Sequence, residues 1–258
     1  MLTDTQRLFF DVNGYVLLKG LLTPGECRAL NGLAIRMRVD SPYARQDQVH
    51  QTVLYGPAWY DRSVLDLAMD ARLRAPAEQI IGAEARLEEN EFIVFHPPAR
   101  RDASALAPEA STWHRGMKPG PGSFEVDGHY QCHFVKALAY LGDNGPQAGT
   151  WVIPGSHRMP CEVADVMRVA DASLMRQVSP QPGDVLLFVE TLMHASPRPA
   201  FDHDRLLLVI GYSSAYMVPW SIESDPPQAI RTQLSAAQRR FVFGEARYEG
   251  RQRNADPG

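Results

Sequence analysis

Two hydrophobic periods divide the chain. Before about residue 82 the apolar positions recur mostly at helical spacing. Thr3 or Asp4 can cap a helix carrying Leu8, Phe9 and Val12, and Asn13-Gly14 then turns the chain into the strand-like run YVLLKGLL. Thr23-Pro24-Gly25-Glu26 reads as a helix start, with a Thr cap, Pro in the first position and Glu in the third. Leu30, Leu33, Ala34 and Met37 supply its apolar stripe. Residues 41–62 are aromatic, polar and irregular, which suits a loop over a pocket. The pattern then predicts a helix from about Ser63 to Ile81, interrupted near Pro76.

From Arg86 onward the period shortens to that of strands. ARLEENEFIVFHPP, HYQCHFVKALAYLGD, GTWVIPGSH, GDVLLFVETLMHASP and RLLLVIGYSS are apolar runs separated by Gly, Pro, Asp and Asn. Short strands after N-terminal helices predict a mainly β fold with flanking helices, a barrel or double-sheet jelly roll. Residues 99–128 are rich in Pro, Gly and Ala and too long for a hairpin loop, so a functional lid or a disordered segment is expected there. A last helix is expected near Ser235–Phe243, followed by a polar tail. The whole chain, 1–258, reads as one domain: a helical region over about 1–82, a jelly-roll core over about 86–216, and an extension over about 217–258.

Composition narrows the function classes. With 26 Lys+Arg against 30 Asp+Glu the formal charge is −4, which argues against a nucleic-acid polymer as partner. Cys27, Cys132 and Cys161 form neither a disulfide framework nor a CxxC zinc pattern, which fits a reducing cytoplasm. Apolar runs such as Leu206 to Ile210 are far shorter than a membrane span, and MLTDTQRLFF lacks the apolar core of a secretory signal.

The chemistry lies in the arrangement of a few polar residues. His114 follows Trp113 in the long loop, and His194 closes the strand-like run GDVLLFVETLMH. Arg205 opens the apolar strand RLLLVIGY, a costly place for a cation unless an anion pairs with it. Its planar fork matches a carboxylate. Two imidazoles with an inward-facing Arg describe a metal site with a dicarboxylate co-substrate.

FDVNGYVLLKGLLTPGEC, Trp113-His114, AGTWVIPGSH, PGDVLLFVETLMHASP and Arg205, taken in order, resemble the phytanoyl-CoA dioxygenase-like family of iron(II)- and 2-oxoglutarate-dependent oxygenases. The resemblance implies a double-stranded β-helix, iron(II) held by His114 and His194, and 2-oxoglutarate anchored by Arg205 with help from Ser196. It also implies O2 as co-substrate and a structural or supporting role for His157.

One departure matters more than the matches. The family's proximal motif is His-x-Asp, part of a two-histidine, one-carboxylate triad. Here it reads His114-Arg115-Gly116, and no histidine of the chain begins a His-x-Asp or His-x-Glu motif. Replacing Asp by Gly removes an anionic ligand and opens space beside the metal. That pattern resembles the halogenases of the family, in which chloride or bromide takes the place of the carboxylate. The sequence therefore points to a halogenase acting on a small natural-product precursor, with Gly116 making room for halide. Two alternatives stand beside it: a hydroxylase using water or a remote carboxylate such as Glu125 or Asp127, and a non-catalytic binding member of the fold.

On the substrate side, Arg115 and Lys118 with Tyr43, Trp59 and Phe124 are candidates for binding an anionic, nucleotide-like molecule by charge and stacking. The plainer reading of the basic residues is a solvated surface. Lys136, alternating with apolar neighbours in FVKALAYL, either enters the barrel or reaches out at the strand edge. A carrier-tethered substrate also remains open.

Overall fold

The elements form where local chemistry favours them. In the computed structural model, which describes residues 1–48, 51–97, 112–142, 149–197, 203–217 and 225–244, Thr3 caps helix α1 (Asp4–Asn13) in a capping box with Gln6. Gly14, at φ 81°, ends α1 and delivers the chain into β1 (Tyr15–Leu18). Thr23 and Glu26 form the same box at the start of α2 (Pro24–Asp40).

Two expectations for the next stretch are corrected. Residues 41–62 are not wholly irregular: they hold β2 (Arg45–Asp47), β3 (Gln51–Tyr55) and the short helix α3 (Pro57–Tyr60). The helical segment after them breaks at Asp70, giving α4 (Arg62–Met69) and α5 (Ala71–Ile81). The Asp70 carboxylate accepts the Arg72 backbone N–H at 2.8 Å and so caps a new helix, while Pro76 is carried inside α5.

The strands that follow are β4 (Ala85–Phe95), β5 (Ser123–Val126), β6 (His129–Cys132), β7 (Phe134–Tyr140) and β8 (Trp151–Val152). Helix α6 (Val163–Val169) separates these from β9 (Arg176–Gln177), β10 (Val185–Val189), β11 (His194–Ala195) and β12 (Arg205–Ser214). The C-terminal segment forms α7 (Gln228–Arg231) and α8 (Ala236–Phe243). Of the loop expected over 99–128, residues 99–111 lie outside the described residues. Its end is instead the hairpin β5–β6, turned by Asp127 (φ 51°) and Gly128 (φ 78°), the left-handed pair that a tight hairpin turn requires.

Seven strands form one antiparallel sheet in the order β1-β10-β7-β12-β4-β3-β2, and β11-β8-β9 form a smaller one. The two make the double-stranded β-helix. The large sheet has two chemically different faces. On one, Leu18, Val185, Ala139, Leu208, Phe92 and Leu54 stand in register across six strands, all buried. This face carries the helices: Asn90 accepts the Ala58 N–H of α3 and the Tyr212 hydroxyl donates to Ala68 of α4. Full burial of one Leu or Phe side chain there contributes about 1.5–3 kcal/mol. On the other face Phe188, Lys136, Gly211 and Glu89 stand in register. With both faces covered, every residue of β12 is buried.

Candidate functional site

His114 and His194 are backbone partners before they are anything else. The His114 N–H donates to the His194 carbonyl at 3.0 Å and the His194 N–H returns to the His114 carbonyl at 2.9 Å, an isolated antiparallel bridge. Their ring centroids lie 4.2 Å apart. Each ring is also fixed in rotation. Nδ1 of His114 donates to Thr112 O and Nδ1 of His194 to Leu192 O, both at 2.9 Å. A carbonyl can only accept, so both Nδ1 atoms carry the proton, and each Nε2 keeps its lone pair for a metal.

Burial, with His114 beside it, pushes the His194 pKa down to about 4, so this imidazole is neutral at physiological pH. His114 is exposed, which leaves the pair open on one side. The PGSH turn holds the segment from behind. Ser156 Oγ accepts the Met193 N–H at 2.9 Å, and the fully buried His157 donates from Nε2 to Asp11 O at 3.2 Å. A Cβ on Gly14 would stand 2.7 Å from the His157 ring, so the glycine that ends α1 also makes room for this anchor.

Arg205 is 2% exposed, with its guanidinium 5.2 Å from the centre of the Phe95 ring and 5.5 Å from that of Tyr140. Burial pushes its pKa down to about 10, which leaves it charged at neutral pH. This setting, a planar cation between aromatic walls, suits a bidentate carboxylate. Ser196 lies exposed just beyond β11.

The space beside Gly116, expected from sequence to take a halide, borders on Glu190. A Cβ placed on Gly116 would overlap Oε2 of Glu190 and stand 3.0 Å from its Cδ. Glu190 is 2% exposed and its main chain is pinned twice, accepting from Met117 N and donating to Phe134 O, both at 3.1 Å. Lys136 settles into the barrel, its Nζ 3.0 Å from Glu89 and 3.4 Å from Glu190. Gly211, between them in the sheet, has no side chain; a Cβ there would meet Glu89 Cβ and the Phe134 ring at 2.9 Å. Burial alone would raise the Glu190 pKa, but Lys136 and the two imidazoles outweigh it and hold the carboxyl below its ordinary value. The remote carboxylates considered from sequence are elsewhere: Glu125 is exposed and paired with Arg158, and Asp127 is an exposed turn residue. Sequence reasoning missed Glu190, although an acidic residue inside the apolar run LLFVETLM was itself a signal.

The substrate candidates scatter. Trp59 is buried in the main core, and its carbonyl accepts the Tyr43 hydroxyl at 3.1 Å. Arg115 is a clamp, donating to Met159 O at 2.9 Å and to Cys161 O. Lys118 pairs with Glu162 on the surface, and Phe124 is 37% exposed with its ring centre 5.0 Å from that of His133. An anionic substrate gains no support from the barrel, where Glu89 and Glu91 share the face of Lys136. Burial, reinforced by Glu89, pushes the Glu91 pKa up to about 7.

Two Nε2 donors with a buried carboxylate nearby fit iron(II), which favours imidazole and carboxylate ligands. Among the described residues, no three His, Cys, Asp or Glu side chains already converge as a closed metal cluster. No described helix is long and apolar enough to cross a membrane.

Known proteins share this fold. The family model for phytanoyl-CoA dioxygenase (PhyH) matches residues 10–205. HygX from Streptomyces hygroscopicus, solved with nickel and 2-oxoglutarate, is 24% identical with a TM-score of 0.70, over 86% of this chain and 91% of its own. The 2-oxoglutarate-dependent epimerase SnoN from nogalamycin biosynthesis is 20% identical with a TM-score of 0.64, over 87% of this chain and 89% of its own. EvdO2 from Micromonospora carbonacea var. aurantiaca, complexed with 2-oxoglutarate, is 18% identical with a TM-score of 0.61, over 88% and 96%. No curated protein sequence matches. The structural likenesses show the shared fold, and the family match covers most of the chain: it belongs to the phytanoyl-CoA dioxygenase (PhyH) family of non-haem iron- and 2-oxoglutarate-dependent oxygenases.

Proposed function

We propose that this chain oxidises a C–H bond of a small natural-product molecule, hydroxylation being the simplest outcome, with His114 and His194 holding iron(II) and Arg205 holding 2-oxoglutarate. The observation that carries the reading is the histidine pair, whose rings are locked by Thr112 O and Leu192 O in the tautomer that ligates through Nε2. Supporting it, HygX has been solved with hygromycin B, and SnoN with iron, α-ketoglutarate and nogalamycin RO. The filled space beside Gly116 favours oxygenation over halogenation. The acidic barrel lining favours a neutral or amine-bearing substrate over an anionic one.

Iron(II) with 2-oxoglutarate and O2 supplies an oxidant able to remove hydrogen from an unactivated carbon. The chain's own residues bind and orient. Arg205 would donate from both arms of its fork to one carboxylate of 2-oxoglutarate. Phe188, its ring centre 4.6 Å from that of His194, packs against that imidazole and excludes water from one side. Solvent-facing His114 marks the side from which substrate enters.

The test needs no substrate. Iron(II) and 2-oxoglutarate added anaerobically to the metal-free protein should produce a visible metal-to-ligand charge-transfer band. Arg205→Met should weaken 2-oxoglutarate binding at least tenfold, and His194→Ala should abolish the band. A wild-type protein that gives no band under saturating iron and 2-oxoglutarate would make it a binding module instead.

A further inference from the structure

We infer that Glu190 replaces the missing Asp of the His-x-Asp motif as the carboxylate ligand of the metal, so that the triad is His114, His194 and Glu190. This rests on the reading that the two histidines hold iron.

The geometry comes from two directions. An Asp at position 116 would place its carboxylate roughly 1.5–2.4 Å beyond its Cβ by ordinary bond lengths. Glu190 Oε2 overlaps the Cβ position itself, with Cδ 3.0 Å and Cγ 3.5 Å away. The carboxylate of Glu190 thus lies in the place that Gly116 leaves empty, and a side chain at 116 would have to displace it. Second, Glu190 is held on its main chain as well as through its ion pair with Lys136. The bonds to Met117 and Phe134 fix the backbone across from Gly116. Lys136 is the charged neighbour of Oε1, 3.4 Å away.

A buried carboxylate so placed has an electrostatic reason to be there. Two neutral imidazoles leave a divalent cation carrying its full charge, and one carboxylate removes half of it. Lys136 has Glu89 as a second partner at 3.0 Å, so Glu190 can turn toward the metal without stranding the ammonium. The role proposed for halide is then already filled by the protein.

Cobalt(II) serves as a spectroscopic stand-in for iron, titrated anaerobically into the full chain and followed by its d–d absorption and by calorimetry. Glu190→Gln, which keeps shape and removes charge, should lose at least tenfold in affinity and alter the d–d envelope. The double variant Gly116→Asp with Glu190→Ala should recover most of that loss, because it returns the carboxylate to the other strand; a purely structural role for Glu190 would not be rescued this way. Chloride should leave the wild-type spectrum unchanged. Wild-type affinity in Glu190→Gln, a failed rescue in a folded double variant, or a saturable chloride effect on the wild type would each overturn the assignment. A wild type that binds no metal would overturn the iron reading itself, a distinct outcome.

Discussion

The two faces of the large sheet obey different rules. The helix-covered face is a row of six aliphatic or aromatic residues from Leu18 to Leu54, where the requirement is volume. The barrel face runs Phe188, Lys136, Gly211, Glu89 in register, where the requirement is charge balance and reach. Gly211 shows the contrast best. On the helix face a missing side chain leaves a hole, whereas here it lets a lysine of β7 reach a glutamate of β4. Stability is concentrated on one face of the sheet and chemistry on the other.

Substitutions should separate the two. The largest effect is expected from Leu208→Ala on the helix face. The side chain is fully buried, so denaturant unfolding should register a loss of about 3–5 kcal/mol, while metal affinity in the folded fraction stays at the wild-type value. Lys136→Met on the barrel face should cost less, about 2 kcal/mol, because the pair keeps about a fifth of its surface in water, with Lys136 at 19% and Glu89 at 20%. Unlike Leu208→Ala, it should also move the Glu190 titration upward, so that metal binding demands a higher pH.

The smallest effect concerns pH alone. Burial pushes the Glu91 carboxyl up to about 7, against the neighbouring Lys136 and with Glu89 and Glu190. The folded state therefore holds a proton that the unfolded chain releases near its ordinary pKa. That contribution is complete below about 4.5 and is lost as pH rises through about 7. Glu91→Gln should flatten this part of a urea-midpoint profile. An unchanged slope between pH 5 and 7.5 would place the titration on another group.

The helix face was legible in sequence because its signals are local. Capping boxes at Thr3 and Thr23, and the apolar run of β12, predict elements without knowledge of their partners. β3 was missed because QTVLY becomes a strand only through pairing with β4, a contact made at a distance in sequence. The candidate site divides in the same way. His114, His194 and Arg205 could be named from motif order, and Lys136 was flagged by its place among apolar neighbours. Glu190 could not be assigned a role, since its meaning depends on Gly116 standing opposite, and the only sequence trace of that is an acid in a buried strand. Arg115 and Trp59 were read from residue type without contacts: one clamps carbonyls and the other packs in the core.

The bridge between His114 and His194 has a consequence for how such a site can change over generations. Its two hydrogen bonds run between main chains, so they survive any replacement of side chains around them. A lineage could therefore lose the acid at 116 and gain one at 190 without dismantling the imidazole pair. The order is constrained, because an acid at both positions would crowd a single gap. An intermediate that carries neither acid would keep its imidazoles in place while it lacks a third ligand.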